Sequence, residues 1–123
     1  GMNACDREDP EVFANEVAAD EVTAEAHLQI ETTACNHALL RNGERILAID
    51  AWCPHLDGPL WEGSTAPGEV GCPWHGWRFS LATGACTWAP AGDAEEARES
   101  QIRVLATRTG PDGRIGVELP PRP

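Results

Sequence analysis

The sequence predicts a small all-β domain, and three features of the chain support this fold class. Twelve Gly and ten Pro in 123 residues imply many turns, which a helical bundle does not need. Apolar and polar residues alternate in several short runs, as half-buried strands require. Asn42-Gly43 is the dipeptide that best suits a tight hairpin, because both turn positions need positive φ. With 41% hydrophobic residues, the chain can fold around one core.

The alternation places most of the strands directly. A first hairpin joins two runs through the turn at 42–43, and a second joins two runs through Pro111-Asp112-Gly113, where Pro presets φ and Gly accepts positive φ. The strands are predicted at residues 28–31, 36–41, 45–49, 79–81, 102–106 and 115–119. The charged stretch 93–100 is expected to be a solvated loop or one helical turn.

The start of the chain carries conflicting signals. Asp9 and Pro10 resemble the cap and first turn of a helix, whereas residues 12–18 can also form a strand. Residues 1–10 and 120–123 are expected to be flexible ends of a single domain that covers 1–123.

The composition restricts the partners. The net charge is −11, all nine basic residues are Arg, and so acidic a surface repels phosphate backbones and excludes nucleic acid. The acidity would attract a basic protein, or it serves solubility alone.

No apolar run reaches the ~20 residues of a membrane helix, and no signal peptide is evident, so a cytoplasmic location is expected. Five cysteines, an odd number, then suit ligands and free thiols better than disulfides.

Residues 51–92 contain the candidate site and all five Trp of the chain. Apolar and polar residues alternate only weakly there, so the segment is predicted to form loops that are organised around something other than an apolar core. Cys53-Pro54-His55 and Cys72-Pro73-Trp74-His75 are separated by sixteen residues. Thiolate and imidazole bind iron, zinc or copper. Zinc usually takes Cys pairs and His pairs, whereas mixed Cys–His pairs suit an iron–sulfur cluster in which two His replace two Cys on one iron.

The two segments C-P-H-L-D-G-P-L and C-P-W-H-G-W-R-F-S-L-A-T-G resemble the Rieske family, in its ferredoxin and ring-hydroxylating-oxygenase branch. The resemblance implies a [2Fe–2S] cluster, with Cys53 and Cys72 on the buried iron and His55 and His75 on the outer iron near solvent. Gly76, Phe79, Thr83 and Gly84 extend the similarity, and Pro90 would lie in a third, cluster-covering loop.

The fold that this resemblance implies is an antiparallel β-barrel or sandwich with a cluster-binding subdomain inserted at about 51–92. The resemblance also aligns residues 13–17 with a first strand, so the helix signal at the start of the chain is set aside. The flanking strands from about 12 to 119 carry the similarity more weakly.

Four positions separate the chain from high-potential members of the family. Those proteins join the two loops by a disulfide, where this chain has Gly58 and Trp74. They also place a Ser and a Tyr after the second loop, where this chain has Trp77 and Phe79. Fewer hydrogen-bond donors to the sulfurs stabilise the reduced cluster less, so a low potential is expected.

The function implied is one-electron transfer between a reductase and a terminal oxygenase or similar acceptor, with partners docking at the His55/His75 end. No dinucleotide loop or second metal motif is present, so we expect an electron-transfer component rather than a self-sufficient catalyst. Two alternatives remain: a small subunit bound permanently in a larger enzyme, and a zinc-stabilised module. The other Cys and His are expected to be non-ligands: Cys5 is expected to be a free thiol, Cys35 and Cys86 small buried residues, and His27 and His37 ordinary surface or core histidines. The tryptophans are expected chiefly to pack around the loops.

Overall fold

The computed structural model describes residues 11–23, 28–31, 36–55, 57–111 and 113–118. These residues form ten strands and one α-helix, with short 3₁₀ turns at Ala19–Glu21, Leu60–Glu62 and Ala91–Asp93. The elements are β1 (Glu11–Ala18), β2 (Leu28–Glu31), β3 (Asn36–Asn42), β4 (Arg45–Asp50), β5 (Ser64–Ala66), β6 (Glu69–Gly71), β7 (Arg78–Ser80), β8 (Cys86–Trp88), α1 (Ala94–Glu99), β9 (Val104–Thr109) and β10 (Arg114–Glu118).

The strands form two antiparallel sheets, which confirms the all-β fold class. The larger sheet has the order β1-β10-β9-β4-β3-β2, and the smaller one has the order β5-β6-β7-β8. The smaller sheet is built entirely from residues 64–88, between β4 and β9 of the larger sheet. Among the described residues, no helix has the length and apolarity that crossing a bilayer would demand.

The start of the chain is a strand, as the resemblance implied. β1 pairs with β10, with Val12 opposite Val117, and the register shifts between Phe13 and Ala18. The partner strand lies about a hundred residues further along the chain, so the local helix signal is overridden by tertiary pairing. The predicted flexible ends at 1–10 and 120–123 lie outside the described residues.

Both predicted hairpins are present. Asn42 pairs with Arg45 across the first turn, and Gly43 there has φ of 64°. The second hairpin joins β9 and β10, and Gly113 has φ of 82° in its turn. β9 begins at Val104 rather than at residue 102, because the backbone N–H of Ile102 donates to the carbonyl of Gly84 instead of to a strand.

The interpretation of 51–92 as loops with one strand was wrong. Four strands of three residues each form a sheet there, and β7 covers Arg78–Ser80 rather than 79–81. A strand of three residues shows at most one full alternation of apolar and polar side chains, so its period cannot be recognised in the sequence. The segment also has an apolar core of its own, in which Val70, Trp77 and Phe79 are fully buried.

One core connects the two sheets at the end where the Cys and His loops begin. Its buried members come from both sheets and from the segments between them, namely Ala38, Leu40, Leu47, Ile49, Cys53, Leu60, Val70, Cys72, Trp77, Phe79, Leu81 and Ile102. Asp50, also buried, ends β4 and accepts hydrogen bonds from the backbone N–H and the Nε of Arg103 at 2.9 and 2.8 Å. The end of β4, from which the first Cys loop starts, is therefore fixed by an ion pair.

The charged stretch 93–100 folds as a short helix. α1 covers six residues and exposes its acidic side chains, while Ala97 packs against the core. So short a helix is marginal alone, and packing of its inner side against the domain stabilises it.

Candidate metal centre

The two Cys–His segments form loops with the same backbone hydrogen bonds. The N–H of Cys53 donates to the carbonyl of Gly58 at 2.8 Å, and the carbonyl of Cys53 accepts from the N–H of Asp57 at 2.8 Å. In the second loop, the N–H of Cys72 donates to Trp77 at 2.7 Å, and its carbonyl accepts from Gly76 at 3.1 Å. Each Cys thus opens a loop that closes on the residues four and five positions later.

Each loop also turns through a residue with positive φ at the same place. Asp57 has φ of 57° in the first loop and Gly76 has φ of 74° in the second. Asp is one of the few residues with a side chain that visits this region readily. The two loops thus share a backbone geometry, with His at the third position of the first loop and at the fourth position of the second.

The four predicted ligands lie on these loops in two environments. The thiols of Cys53 and Cys72 are buried and belong to the core, and neither forms a disulfide. His55 is half-buried and His75 is exposed, and their rings meet edge to face with centroids 5.3 Å apart. The loops also meet directly, because a Cβ atom at Gly58 would lie 2.5 Å from Sγ of Cys72. The two thiols are therefore buried, and of the two imidazoles that of His75 reaches solvent while the His55 side chain is only 12% exposed.

The donor atoms fit a metal cluster. Nδ1 of His55 is buried without a hydrogen-bond partner, and the nearest carboxylate oxygen, Oε1 of Glu96, is 3.7 Å away. An unsatisfied buried nitrogen costs about 1–3 kcal/mol, and coordination to a metal would remove that cost. In the described residues, no three His, Cys, Asp or Glu side chains gather closely enough to hold a single ion. A Rieske-type cluster needs only two protein donors per iron, so this spacing is compatible with it.

Trp77 is a site residue that sequence reasoning missed, since the tryptophans were expected chiefly to pack. Its indole is fully buried and lies against the imidazole of His55, with centroids 4.1 Å apart and planes 18° apart. Its Nε1–H donates to Oδ2 of Asp93 at 3.2 Å. The ring contact joins residues of two different loops, and nothing local in the sequence marks it.

The predicted third loop reaches the same place. Pro90 precedes the 3₁₀ turn at Ala91–Asp93, which leads into α1, and Glu96 of this helix lies beside His55. The described contacts thus agree with the expected position of this segment near the site.

Two exposed tryptophans flank the histidines. Trp74 is 56% exposed and Trp88 is 52% exposed. The ring of Trp74 lies 3.4 Å from the position of a Cβ at Gly58, and the ring of Trp88 lies 3.5 Å from the position of one at Gly76. Each loop therefore has an exposed tryptophan close to its glycine, Trp74 at the first loop and Trp88 of β8 at the second, and an interface would use such side chains.

The remaining Cys and His of the described residues lie elsewhere. His37 is buried in β3, opposite Asp50 of β4. Cys86 was expected to be buried, but it is only partly so, and its Sγ–H donates to the carbonyl of Trp88 at 3.3 Å. Burial raises the pKa of the Cys86 thiol, which keeps it protonated. The predictions for Cys5, His27 and Cys35 fall outside the described residues.

Several relatives share part of this chain. A cholesterol 7-desaturase from Bombyx mori is 42% identical over 69 residues, which are 54% of this chain and 15% of that protein. An oxidoreductase of Pseudomonas putida, NdmD, is 32% identical over 65 residues, which are 50% of this chain and 11% of the relative. The chain thus spans only a small part of these curated relatives.

Solved structures of similar size share the fold. The ferredoxin of carbazole 1,9a-dioxygenase from Nocardioides aromaticivorans has a TM-score of 0.71 and 21% identity, over 91% of this chain and 100% of its own. The Rieske [2Fe–2S] domain model matches residues 13–107, from β1 into β9, and includes both Cys–His loops. The protein therefore belongs to the Rieske [2Fe–2S] domain family, and its cofactor is a Rieske-type [2Fe–2S] cluster.

Proposed function

We propose that this chain is a ferredoxin-like electron carrier that holds its cluster on Cys53, His55, Cys72 and His75. The observation that carries the proposal is the pair of matched loops, which bury both thiols, bring the two imidazoles together and expose that of His75. Such a cluster accepts and releases one electron at a time. No other group for catalysis is needed in that role.

The Cys and His side chains have different roles at this site. The buried thiols of Cys53 and Cys72 keep their donors away from water, which favours tight binding of iron. His75 is exposed and brings its end of the site to the surface. The histidine side of the domain therefore offers an electron a short route between the metal centre and a bound partner.

We infer that partners dock on this side, at a docking face made of Trp74, His75, Trp88, Asp57 and Glu96. The two tryptophans offer apolar anchors. The exposed Asp57 of the first loop and Glu96, 3.7 Å from Nδ1 of His55, suit a basic partner surface. Redox encounters bury less than about 1,200 Å², so a patch of this size is sufficient.

The proposed partners are a reductase and a terminal oxygenase. A solved complex of reduced oxygenase and oxidised ferredoxin in carbazole 1,9a-dioxygenase contains a chain that matches this one with a TM-score of 0.72 and 20% identity, over 93% of this chain and 97% of its own. That likeness supports the type of partner. We also propose a cytoplasmic location, since none of the described cysteines, Cys53, Cys72 and Cys86, forms a disulfide, as a reducing compartment favours.

A second candidate is a domain or subunit held permanently in a larger enzyme. It is favoured by the relatives of which the chain spans only 15% or less, since in those the similar segment is a small part of a long protein. A diffusible carrier should elute alone from a sizing column after expression in its native host, whereas a permanent subunit should elute with its partner.

The test of the proposed function combines composition and electron transfer. Purified protein should contain two irons and two acid-labile sulfides per chain and should be red-brown, whereas a zinc-stabilised module would be colourless. Adding it to NADH, the flavoprotein reductase of a Rieske dioxygenase and cytochrome c should accelerate cytochrome c reduction. A red-brown protein that reduces cytochrome c no faster than its Cys72→Ser variant would overturn the carrier role.

A further inference from the structure

Trp77 contacts three parts of the site. Its ring stacks on His55, its backbone carbonyl accepts the N–H of Cys72, and its Nε1–H donates to Asp93. One residue thus contacts a member of each Cys–His loop and also the segment that leads into α1. Because the indole is fully buried, it has little freedom to move away from the imidazole.

The side chain of Asp93 bonds to the Trp77 indole rather than to the backbone of α1. It occupies the N-cap position of α1, where an Asp side chain usually accepts a backbone N–H of the first turn and contributes about 0.5–2 kcal/mol. Here the Asp93 side chain makes no capping hydrogen bond, and its Oδ2 accepts from Nε1 of Trp77 instead. A local rule broken in this way indicates a role beyond the stability of the helix.

The stack holds the imidazole of His55, one of the four proposed ligands. Nδ1 of His55 is buried without a hydrogen-bond partner and has the carboxylate of Glu96 3.7 Å away, so no hydrogen bond at this nitrogen fixes the direction of the ring. The near-parallel indole, 18° from the imidazole plane, limits the tilt of the ring. Asp93 in turn limits the tilt of the indole, since its hydrogen bond fixes the Nε1 end.

We propose that Trp77 and Asp93 act together as positioning residues that set the plane of the His55 imidazole at the metal. The proposal rests on the proposed role of His55 as a ligand. In this proposal the 3₁₀ turn at Ala91–Asp93 helps to orient His55. It does so through the hydrogen bond from Trp77 to Asp93 and the stack of the indole on the imidazole. Outer partners of metal-bound histidines commonly change metal affinity about 10- to 100-fold when they are removed.

The test compares variants by the electron paramagnetic resonance of the reduced protein and by the rate of iron loss to a chelator. Asp93→Ala removes the acceptor, and Trp77→Phe keeps a stacked ring but removes the donor. We expect both to shift the g-values and to accelerate iron loss about 10-fold or more. The double variant should be little worse than either single one, because both changes break the same hydrogen bond.

Two controls separate positioning from charge. Asp93→Asn keeps an oxygen acceptor and loses the charge, and it should retain the wild-type g-values. Glu99→Gln removes a charge from the exposed end of α1 and should also leave them unchanged. If Trp77→Phe does not fold, Asp93→Ala decides alone, since Asp93 is only partly buried.

The outcomes distinguish this proposal from the one it rests on. Wild-type g-values and iron retention in a red-brown Asp93→Ala protein would overturn the positioning role and leave the ligand assignment intact. A His55→Ala variant that keeps the wild-type spectrum would overturn the ligand assignment and the positioning role together.

Discussion

Gly58 lies so close to Cys72 that a Cβ atom on the glycine would stand 2.5 Å from the sulfur. The contact joins the first Cys–His loop to the second at their buried side. Only a residue without a side chain allows this approach, because the sulfur belongs to a packed core and has nowhere to withdraw. The spacing of the two loops is therefore set by a glycine rather than by a covalent link.

We expect Gly58→Ala to impair cluster incorporation. The added methyl group must displace the Cys72 sulfur or push the loops apart, and such overpacking costs about 1–3 kcal/mol. Iron content and visible absorbance per chain should both fall. Gly92→Ala is the matched control, because a Cβ there meets nothing within 4 Å. Full iron content in Gly58→Ala would show that the Cys72 thiol has room to move.

The requirement for each ligand can be tested against a cysteine outside the site. Cys72→Ser should give a colourless or poorly folded protein, because no described cysteine stands ready to replace its buried thiolate. Cys86→Ser should keep the colour, since Cys86 is hydrogen-bonded to Trp88 and lies on β8. A normally coloured Cys72→Ser variant would remove Cys72 from the ligand set.

The potential should lie near the lower end of the range for Rieske centres, at about −150 mV rather than +300 mV. Phe79 is buried and has no hydroxyl, and the single N–H of the Trp77 ring is occupied by Asp93. These residues therefore supply no side-chain donors to stabilise the reduced state. Redox titration near neutral pH tests this, and a clearly positive midpoint would contradict it.

The chemistry of the site was readable from the sequence because its donors are local. One residue separates Cys53 from His55, and two separate Cys72 from His75. Each Cys–His pair can therefore be recognised in the sequence without knowledge of the fold. The pairing of Trp77 with Asp93 spans sixteen residues and depends on how α1 packs. No periodicity or motif records such a contact.

The fold was predictable where strands are long enough to alternate. β3 and β4 have seven and six residues around an Asn-Gly turn, and both were found. β5, β6 and β8 have three residues each and were missed. These strands owe their existence to neighbouring strands and to the buried Val70 and Phe79, which are contacts that appear only after folding.

The smaller sheet should depend on pH through Glu69. Hydrogen bonds from Thr87 and Arg78 lower the pKa of this carboxyl from its ordinary value of 4.5, and they join β6 to β7 and β8. Because the folded pKa lies below the unfolded one, the stabilisation is present above pH 4.5 and is lost as the pH falls through the folded value.

Glu69→Gln should therefore lower the urea midpoint at neutral pH, and the difference from wild type should shrink as the pH falls below 4.5. Glu62→Gln, at an exposed glutamate of the 3₁₀ turn at Leu60–Glu62, is the control and should not change the midpoint. An equal loss of stability at every pH would contradict the assigned role of the charge.

Association with a basic partner should be steered by charge and concentrated at the docking face. The net charge is −11, and steering of this kind can raise association rates about 10- to 1,000-fold at low salt. Reduction of the cluster by a limiting amount of reductase should slow markedly as salt shortens the Debye length from ~30 Å at 0.01 M to ~8 Å at 0.15 M.

Two matched substitutions separate a local docking role from general acidity. Glu96→Gln removes a charge beside His55, and it should flatten the dependence of the rate on salt. Glu44→Gln removes the same charge at the far turn of the β3–β4 hairpin, roughly 20 Å along the strand from the loop at Cys53, and should change the dependence little. Equal effects would mean that the acidity acts through the whole molecule, and a rate unaffected by salt would leave it without a steering role.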